Sequence, residues 1–262
     1  MTSLVMAWAI VGLLPAEPAV TPLPQAHAHN DYEHTRPLLD ALDQGFCSVE
    51  ADIWLTKEGL QVGHTPFALK PGRTLQSLYL DPLKERIKRQ GGRVYRDGPK
   101  SFTLLIDVKT EAKATYAALE KVLEGYADML TVIRDNKAEE RAVTIILSGN
   151  RDVDTIPKQA VRYVGIDGRP VDLNGDFPTS LVPWISASWS SLFKWDGKGM
   201  MPIAEREKME ALVAKAHQQK RKVRFWGTPD LPQVWKLQRA VGVDLINTDK
   251  LADLRKVLTE AP

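Results

Sequence analysis

The chain of 262 residues carries 35 lysines and arginines against 33 aspartates and glutamates, and a formal net charge of +2 gives no indication of nucleic-acid binding. Its length suits one large domain or a barrel, and the single cysteine, Cys47, excludes a disulfide within the chain. Cys47 falls in a predicted buried strand, where we expect a small core residue.

The N-terminal segment has two interpretations. Residues 4–14 are apolar and are followed by the small residues Ala16 and Ala19, as in an export signal. No lysine or arginine precedes this run, so a buried or frayed N-terminal segment is the alternative. We expect residues 1–23 to be a signal segment and linker and residues 24–262 to be one domain, so that the protein is exported, periplasmic or secreted; without a signal it would be cytoplasmic.

The rest of the chain alternates between short apolar runs typical of buried strands and longer segments typical of helices. The predicted strands are 24–29, 46–55, 102–109, 143–148, 162–167, 182–188, 222–226 and 243–247. The predicted helices are 36–44, 81–90, 111–126, 152–160, 203–219, 231–240 and 250–258. Eight strands separated mostly by helices predict a (β/α)₈ TIM barrel, whose functional side chains lie at the carboxyl ends of the strands.

The end of the first predicted strand carries His27 and His29, which are two residues apart and therefore point to the same side. Because His29 is nearer the carboxyl end, we expect it to reach the barrel mouth. We expect His27 one layer lower, as a hydrogen-bond partner of Glu50 or Asp52. Spacing alone leaves His27 as an alternative for the first catalytic histidine.

The second predicted strand contains Glu50 and Asp52, which project from one face of an otherwise apolar run. Two buried carboxylates are costly unless something neutralises their charge. Pairing with lysine or arginine is one solution and a bound cation is the other. We interpret the pair as metal ligands.

Two further positions complete this cluster. Asp107 ends the apolar run of the third predicted strand, and His64 follows a turn after the second. Lys109 lies on the same face as Asp107, where it forms a structural ion pair or supplies a charge for a phosphate oxygen. Three carboxylates suit Mg²⁺ or Ca²⁺, and two histidines beside them can transfer protons. Together these side chains provide what phosphodiester cleavage requires.

The second half of the chain is less informative. Segment 184–195 contains three tryptophans, which predict either core packing or an apolar wall for a lipid tail or a membrane contact. Trp226 ends the seventh predicted strand and is expected to line the same mouth. His217 lies in a basic helical stretch and is expected at the surface.

These motifs resemble those of the PI-PLC-like phosphodiesterase superfamily, in particular the glycerophosphodiester phosphodiesterases. The matching segments are His29-Asn30, Glu50-Ala51-Asp52, the turn Leu55–Gly59, Gly63-His64-Thr65, Asp107-Val108-Lys109 and Gly242–Asp249. The resemblance covers nearly all of 24–258 and is most specific in the first half. The run His-Asn-Asp-Tyr together with Ser-Val-Glu-Ala-Asp-Ile-Trp is similar to a branch related to the fungal altered-inheritance-of-mitochondria proteins.

The resemblance implies a barrel with one divalent cation, Mg²⁺ or Ca²⁺, held by Glu50, Asp52 and Asp107. It also implies acid–base catalysis by His29 and His64. One histidine would deprotonate the nucleophile, which is water or a substrate hydroxyl, and the other would protonate the leaving alkoxide. Hydrolysis and cyclising transfer both remain open.

The resemblance further implies a small-molecule or lipid phosphodiester as substrate, bound with the help of Asn30, Lys109 and Trp226. A transient contact with a membrane surface would fit a lipid substrate, and no protein partner is implied. The chain departs from the family in two ways. Asn30 replaces an arginine that contacts phosphate, and Asp107 replaces the usual glutamate.

Two other classes of protein fit part of the pattern. The sequence His27-Ala28-His29 is similar to the His-x-His of amidohydrolase-type barrels, but no histidine lies on a later predicted strand. The missing arginine and the shorter Asp107 also fit a barrel that binds phosphate or lipid head groups without turnover. Retention of both histidines and all three carboxylates argues against that second alternative.

Overall fold

A computed structural model describes residues 20–260, so the expected signal segment and linker lie outside the described residues except for 20–23. Eight parallel strands close into a ring in chain order, with the last strand paired to the first. The barrel strands are β1 (Leu23–Ala28), β2 (Phe46–Thr56), β3 (Phe102–Val108), β4 (Val143–Gly149), β5 (Val164–Gly168), β6 (Trp184–Ser188), β7 (Lys222–Trp226) and β8 (Leu245–Thr248). All eight predicted strands and the TIM barrel are therefore confirmed.

Helices cover the outside of the barrel. They are α1 (Leu39–Asp43), α2 (Asp81–Arg89), α3 (Ala112–Glu124), α4 (Trp189–Leu192), α5 (Ile203–Gln218), α6 (Pro232–Val241) and α7 (Leu251–Thr259). The predicted helix 152–160 is wrong, because only a 3₁₀ turn forms there, at Ile156–Lys158. Pro157 lies in the middle of that segment, and proline in a helix interior removes a donor and clashes with the preceding turn.

Short strands that the sequence analysis did not predict extend the fold. Gly59–Val62 pairs antiparallel with the end of β2 and forms a hairpin that rises above the barrel. The return strand of this hairpin ends at Val62, just before His64. Val132–Arg134, Lys137–Glu139 and Val161–Arg162 form a small antiparallel sheet outside the barrel.

The barrel interior is layered from apolar at its base to polar at its mouth. Leu105, Ile146, Trp184 and Leu245 form an apolar cluster separate from the main core. Two residues further along each strand, on the same inward face, lie polar side chains. On β3, Asp107 comes two residues after Leu105 on the inward face, and on β7 Trp226 comes two residues after Arg224 on that face. The charged side chains therefore collect at the carboxyl ends of the strands.

The main core lies between the barrel and the helices. Cys47 is buried in it, as predicted, and the imidazole of His217 is exposed on α5, also as predicted. Within residues 20–260, every helix is either too short or too polar to cross a membrane.

Candidate active site

A cleft of about 450 Å³ opens at the carboxyl ends of the barrel strands. Its lining includes the predicted catalytic pair, metal ligands and substrate-binding residues, namely His29, Asn30, Glu50, Asp52, His64, Asp107, Lys109 and Trp226, whereas His27 is buried and does not line it. Parallel strands end at one rim, so side chains that are distant in sequence meet there. The structure thus brings the whole predicted set together.

Three carboxylates form the centre of the cleft. Glu50, Asp52 and Asp107 each offer one oxygen, and these oxygens all lie within 4.8 Å of one another. Glu50 and Asp52 share the inward face of β2, and Asp107 lies beside Asp52 in the register of β3. Oδ1 of Asp52 is buried without a hydrogen-bond partner. Because such an oxygen is costly when unpaired, this oxygen-rich cluster fits a hard divalent cation.

Gly149 at the end of β4 makes room for Asp107. Its φ of +66° lies in the left-handed region, and a Cβ added there would overlap the Asp107 carboxylate and lie 2.5 Å from the carbonyl oxygen of Val108. Glycine therefore allows β4 to approach the cluster closely.

Two basic side chains partly neutralise the carboxylates. Nζ of Lys109 lies 3.0 Å from Asp52 and 3.3 Å from Asp107, and Nη1 of Arg224 lies 3.2 Å from Glu50. Although burial opposes it, the charge of Arg224 holds the pKa of Glu50 well below its usual value. Burial outweighs the charge of Lys109 and raises the pKa of Asp107 to about 6, and burial also raises the pKa of Asp52. Lys109 alone does not neutralise both aspartates, so a further cation would be stabilised beside them.

His29 lies between two carboxylates on one side of the cluster. Its Nδ1 is 2.8 Å from Oδ1 of Asp249, and its Nε2 is 3.9 Å from Oε2 of Glu50. Burial lowers the pKa of His29, but the hydrogen bond to Asp249 and the charge of Glu50 outweigh burial and raise it. The charged imidazolium is therefore favoured, as a proton donor requires.

His64 lies at the other end of the cluster and is exposed to solvent. Its Nδ1 is 3.3 Å from Oδ2 of Asp52 and 3.1 Å from the Tyr32 hydroxyl. That hydroxyl is 2.7 Å from the same Asp52 oxygen, and burial together with the charge of Asp52 raises the pKa of Tyr32. Tyr32 thus keeps its proton and holds Asp52 and His64 in place. The sequence analysis quoted Tyr32 in a motif but assigned it no role.

His27 lies beneath the cluster, fully buried, in the layer where the sequence predicts it. Its Nε2 is 2.9 Å from Nη1 of Arg224 and 3.7 Å from Glu50, and its Nδ1 is 2.7 Å from Oγ of Ser48. Arginine can only donate, so Nε2 accepts and Nδ1 carries the proton. Burial lowers the pKa of His27 to about 4. His27 is therefore neutral, and His29 is the first-strand histidine that lines the cleft.

The far wall of the cleft contains residues that sequence reasoning missed. Arg169 donates to the buried Asp167 at 2.9 Å and to Oγ of Ser148 at 3.2 Å. Arg224 is almost fully buried and also contacts Ser186 and Asn247. A charged residue inside an apolar strand was the signal used for Glu50, and the same signal was present at Asp167 and Arg224.

The tryptophans of segment 184–195 belong to the core. Trp189 packs against Phe193 and Phe225, with ring centroids 4.6 and 5.9 Å apart, and its Nε1 donates to the carbonyl of Trp195. The core-packing interpretation is therefore right, and these side chains form no apolar wall. Trp226, by contrast, is 42% exposed at the edge of the cleft.

Comparisons with known proteins identify two family models along the chain. The model of the AIM6-like phosphodiesterase domain matches residues 17–167, and the model of the glycerophosphoryl diester phosphodiesterase family matches residues 222–252. Altered inheritance of mitochondria protein 6 of Eremothecium gossypii is 30% identical, over 89% of this chain and 69% of that protein. Its homologue in Arthroderma benhamiae is also 30% identical, over 88% of this chain and 82% of that one.

Solved structures share the fold. A calcium-dependent phosphoinositol-specific phospholipase C from Pseudomonas sp. matches with a TM-score of 0.57 at 14% identity, over 90% of this chain and 93% of that one. A glycerophosphodiester phosphodiesterase from Parabacteroides distasonis matches with a TM-score of 0.52, also at 14% identity, over 89% and 96%. At this identity the likeness concerns the fold alone.

Proposed function

We propose that this chain, which belongs to the AIM6-like phosphodiesterase family, is a divalent-cation-dependent hydrolase of phosphoric diesters. The main support for this proposal is the cluster of Glu50, Asp52 and Asp107, in which Oδ1 of Asp52 is buried without a partner. Oδ2 of Asp52 forms an ion pair with Lys109, whereas Oδ1 has no partner and would be stabilised by a bound cation. The family and the shared barrel support the same reaction class.

The three carboxylates would hold the cation, Mg²⁺ or Ca²⁺, which when bound supplies Lewis-acid polarisation of a phosphoryl oxygen. Residues of the chain would bind the substrate and offset its charge. The ammonium group of Lys109 lies 3.0 Å from Asp52 and would offset negative charge on the phosphate. Asn30 and Trp226 line the same cleft and would contact the substrate.

The two histidines divide the proton transfers in this proposal. Asp249 and Glu50 favour protonated His29, so His29 gives its proton to the leaving alkoxide oxygen as the phosphorus–oxygen bond breaks. His64, exposed beside Asp52, takes the proton of the attacking water or substrate hydroxyl. With water, the products are an alcohol and a phosphoric monoester.

The amidohydrolase alternative receives no support from residues 20–260, since the group of side chains able to hold a metal there contains no histidine. His27, which suggested that alternative, is bound to Ser48 and Arg224. The proposal therefore keeps a phosphodiester as substrate, either small or lipid.

The first test is metal dependence. The full chain, freed of metal by chelation, should not cleave glycerophosphocholine or bis(p-nitrophenyl) phosphate, and Mg²⁺ or Ca²⁺ should restore activity. Asp52→Asn removes a carboxylate charge without changing shape and should abolish the restoration. Full activity after exhaustive chelation would refute the metal site. Cation binding without turnover of any diester would indicate a head-group-binding barrel instead.

The second test separates acid from base. Protonation assists an alkoxide leaving group but not a nitrophenolate, which is already stable as an anion. His29→Ala should therefore lose roughly 10²–10⁴-fold of its rate on glycerophosphocholine and much less on bis(p-nitrophenyl) phosphate. His64→Ala should lose activity on both, and His217→Ala, the surface control, on neither. Equal losses for His29→Ala on the two substrates would contradict the assignment.

A further inference from the structure

Two arginine side chains meet at the carboxyl end of β4, beside the carboxylate cluster. Nη2 of Arg169 donates to Oγ of Ser148 at 3.2 Å, and Nη1 of Arg151 donates to the carbonyl oxygen of Gly149 at 3.3 Å. Ser148 and Gly149 line the cleft, so both guanidinium groups lie at its far wall. Burial lowers the pKa of Arg151, and the positive charge of Arg169 lowers it further.

The two arginines differ in what neutralises their charge. Nη1 of Arg169 lies 2.9 Å from Oδ2 of the buried Asp167, so Arg169 has a counter-ion. Within residues 20–260, no carboxylate oxygen lies within 4.0 Å of the Arg151 guanidinium, and its Nε is buried without a hydrogen-bond partner. A half-buried charge without a counter-ion is costly. Arg151 therefore has a positive charge that an anion from solution would stabilise.

The balance of charges on this wall leads to the same conclusion. Arg224 lies 3.2 Å from Glu50 and 4.0 Å from Asp167, which also holds Arg169. With Arg151, three guanidinium groups therefore meet two carboxylates, and one positive charge is left in excess. A cation bound at the carboxylate cluster would add positive charge and would not remove this excess.

We propose that Arg151 and Arg169 form a subsite for a second anionic group of the substrate, so that one of the two alcohols joined by the phosphate carries a carboxylate or a phosphate of its own. This inference rests on the proposed function. The phosphodiester group itself has a single negative charge, which the bound cation and Lys109 would offset. Guanidinium groups bind carboxylates and phosphates through paired hydrogen bonds, so two of them at one strand end suit either group.

The position of the subsite limits the length of the substrate. β4 is the neighbour of β3 in the barrel, and Ser148 lies beside Asp107 in their register. Since neighbouring strands are about 4.8 Å apart, the second anionic group would lie roughly one strand spacing from the carboxylate cluster. A chain of about two or three carbon atoms spans this distance. The substrate class is therefore a diester of a short hydroxy acid or of a short phosphorylated alcohol.

Two matched pairs of substrates test this inference. Glycerophosphoserine differs from glycerophosphoethanolamine by one carboxylate, and glycerophosphoglycerol phosphate differs from glycerophosphoglycerol by one phosphate. With cation bound, the wild type should have a kcat/KM at least roughly tenfold higher for the acidic member of one or both pairs, because charge-assisted hydrogen bonds are gained. The pair that shows this preference identifies the second group as a carboxylate or a phosphate.

Substitution of Arg151 tests whether the preference arises at the subsite. In Arg151→Gln the two members of the pair should have kcat/KM values within about twofold of each other, mainly through a higher KM for the acidic member. Arg206→Gln, on the exposed face of α5, is the control and should keep the wild-type preference. Circular dichroism confirms that each variant is folded. Equal losses on both members of a pair in Arg151→Gln would indicate a structural role and overturn the inference.

Binding separates this inference from the proposed function. Calorimetry of the Ca²⁺-loaded chain measures the affinity for the same four compounds, whether or not they are cleaved. Tighter binding of an acidic member by the wild type but not by Arg151→Gln, without turnover of any diester, would support the subsite and refute the proposed hydrolase. Turnover by the wild type with equal kcat/KM for both members of both pairs would overturn the subsite and leave the proposed function standing. This last comparison needs no variant.

Discussion

Replacement of Arg224 by methionine tests whether the cluster depends on a buried ion pair. Arg224 is almost fully buried, and its Nη1 lies 3.2 Å from Oε2 of Glu50. Methionine fills similar space without charge, so Glu50 would lose its strongest positive partner inside the barrel. Breaking a buried pair from one side typically costs about 3–5 kcal/mol. For a domain of this size each kcal/mol lowers the melting temperature by roughly 2–4 °C, so a fall of about 6–20 °C is expected in chelator.

A bound cation should reverse part of this loss. Without Arg224, the negative charge of Glu50 is no longer offset by an ion pair. The variant should therefore gain more stability from Ca²⁺ or Mg²⁺ than the wild type does. Differential scanning calorimetry with chelator and then with added cation measures both effects. The double variant Glu50→Gln/Arg224→Met removes both charges of this pair and should recover most of the melting temperature without cation.

A matched surface pair provides the control. Arg206 and Glu210 lie one turn apart on α5 with Nε and Oε1 2.8 Å apart, and both are exposed. Exposed pairs contribute about 0–1 kcal/mol, so Arg206→Met should barely change the melting temperature and should gain as much stability from cation as the wild type does. The reasoning would be refuted if Arg224→Met melted like the wild type in chelator. It would also be refuted if cation stabilised the variant and the wild type equally.

Two further predictions concern the carboxylate cluster and His29. Gly149→Ala should push the Asp107 carboxylate out of place and weaken Ca²⁺ binding measured by calorimetry, whereas Gly91→Ala, with a similar φ of +75° and open space around it, should not. Asp249→Asn removes one of the groups that raise the pKa of His29. If His29 acts as an acid, activity falls as pH rises through that pKa, so the alkaline limb of kcat/KM should move to lower pH in Asp249→Asn. An unchanged limb would show that His29 is not the acid.

The barrel could be predicted because each of its strands is a short, buried, largely apolar run that local sequence identifies. The errors arose where one residue overrode a weak pattern. Pro157 reduced a predicted helix to one 3₁₀ turn, and the hairpin strand Gly59–Val62 was too short to stand out from its turn. Whether a helix or a short strand forms at these positions depends on available backbone N–H donors and on pairing between strands. The spacing of apolar residues gives no information about either.

The side chains that line the cleft could also be predicted, because residues at the carboxyl ends of parallel strands must meet at one rim. Their ion-pair and hydrogen-bond partners could not be predicted. Arg224 reaches Glu50 across 174 positions of sequence, and Asp249 reaches His29 across 220. Nothing in local spacing indicates which strand-end charge faces which. The closed ring of strands decides this, because it places β8 beside β1 and β7 beside β8.

Asn30 shows how the chain departs from the family pattern and what replaces it. Asn30 adopts a left-handed φ of 44°, which asparagine tolerates better than most residues, and its side-chain amide lies 2.8 Å from the Tyr32 hydroxyl. It therefore orders the segment that positions Tyr32, and it brings no charge to the cleft. The positive charges of the cleft come instead from Lys109, Arg169 and Arg224, which lie directly after β3, after β5 and on β7. In the proposed reaction, basic side chains from across the barrel therefore offset the negative charge of the phosphate. His29, on the β1 side, supplies the proton.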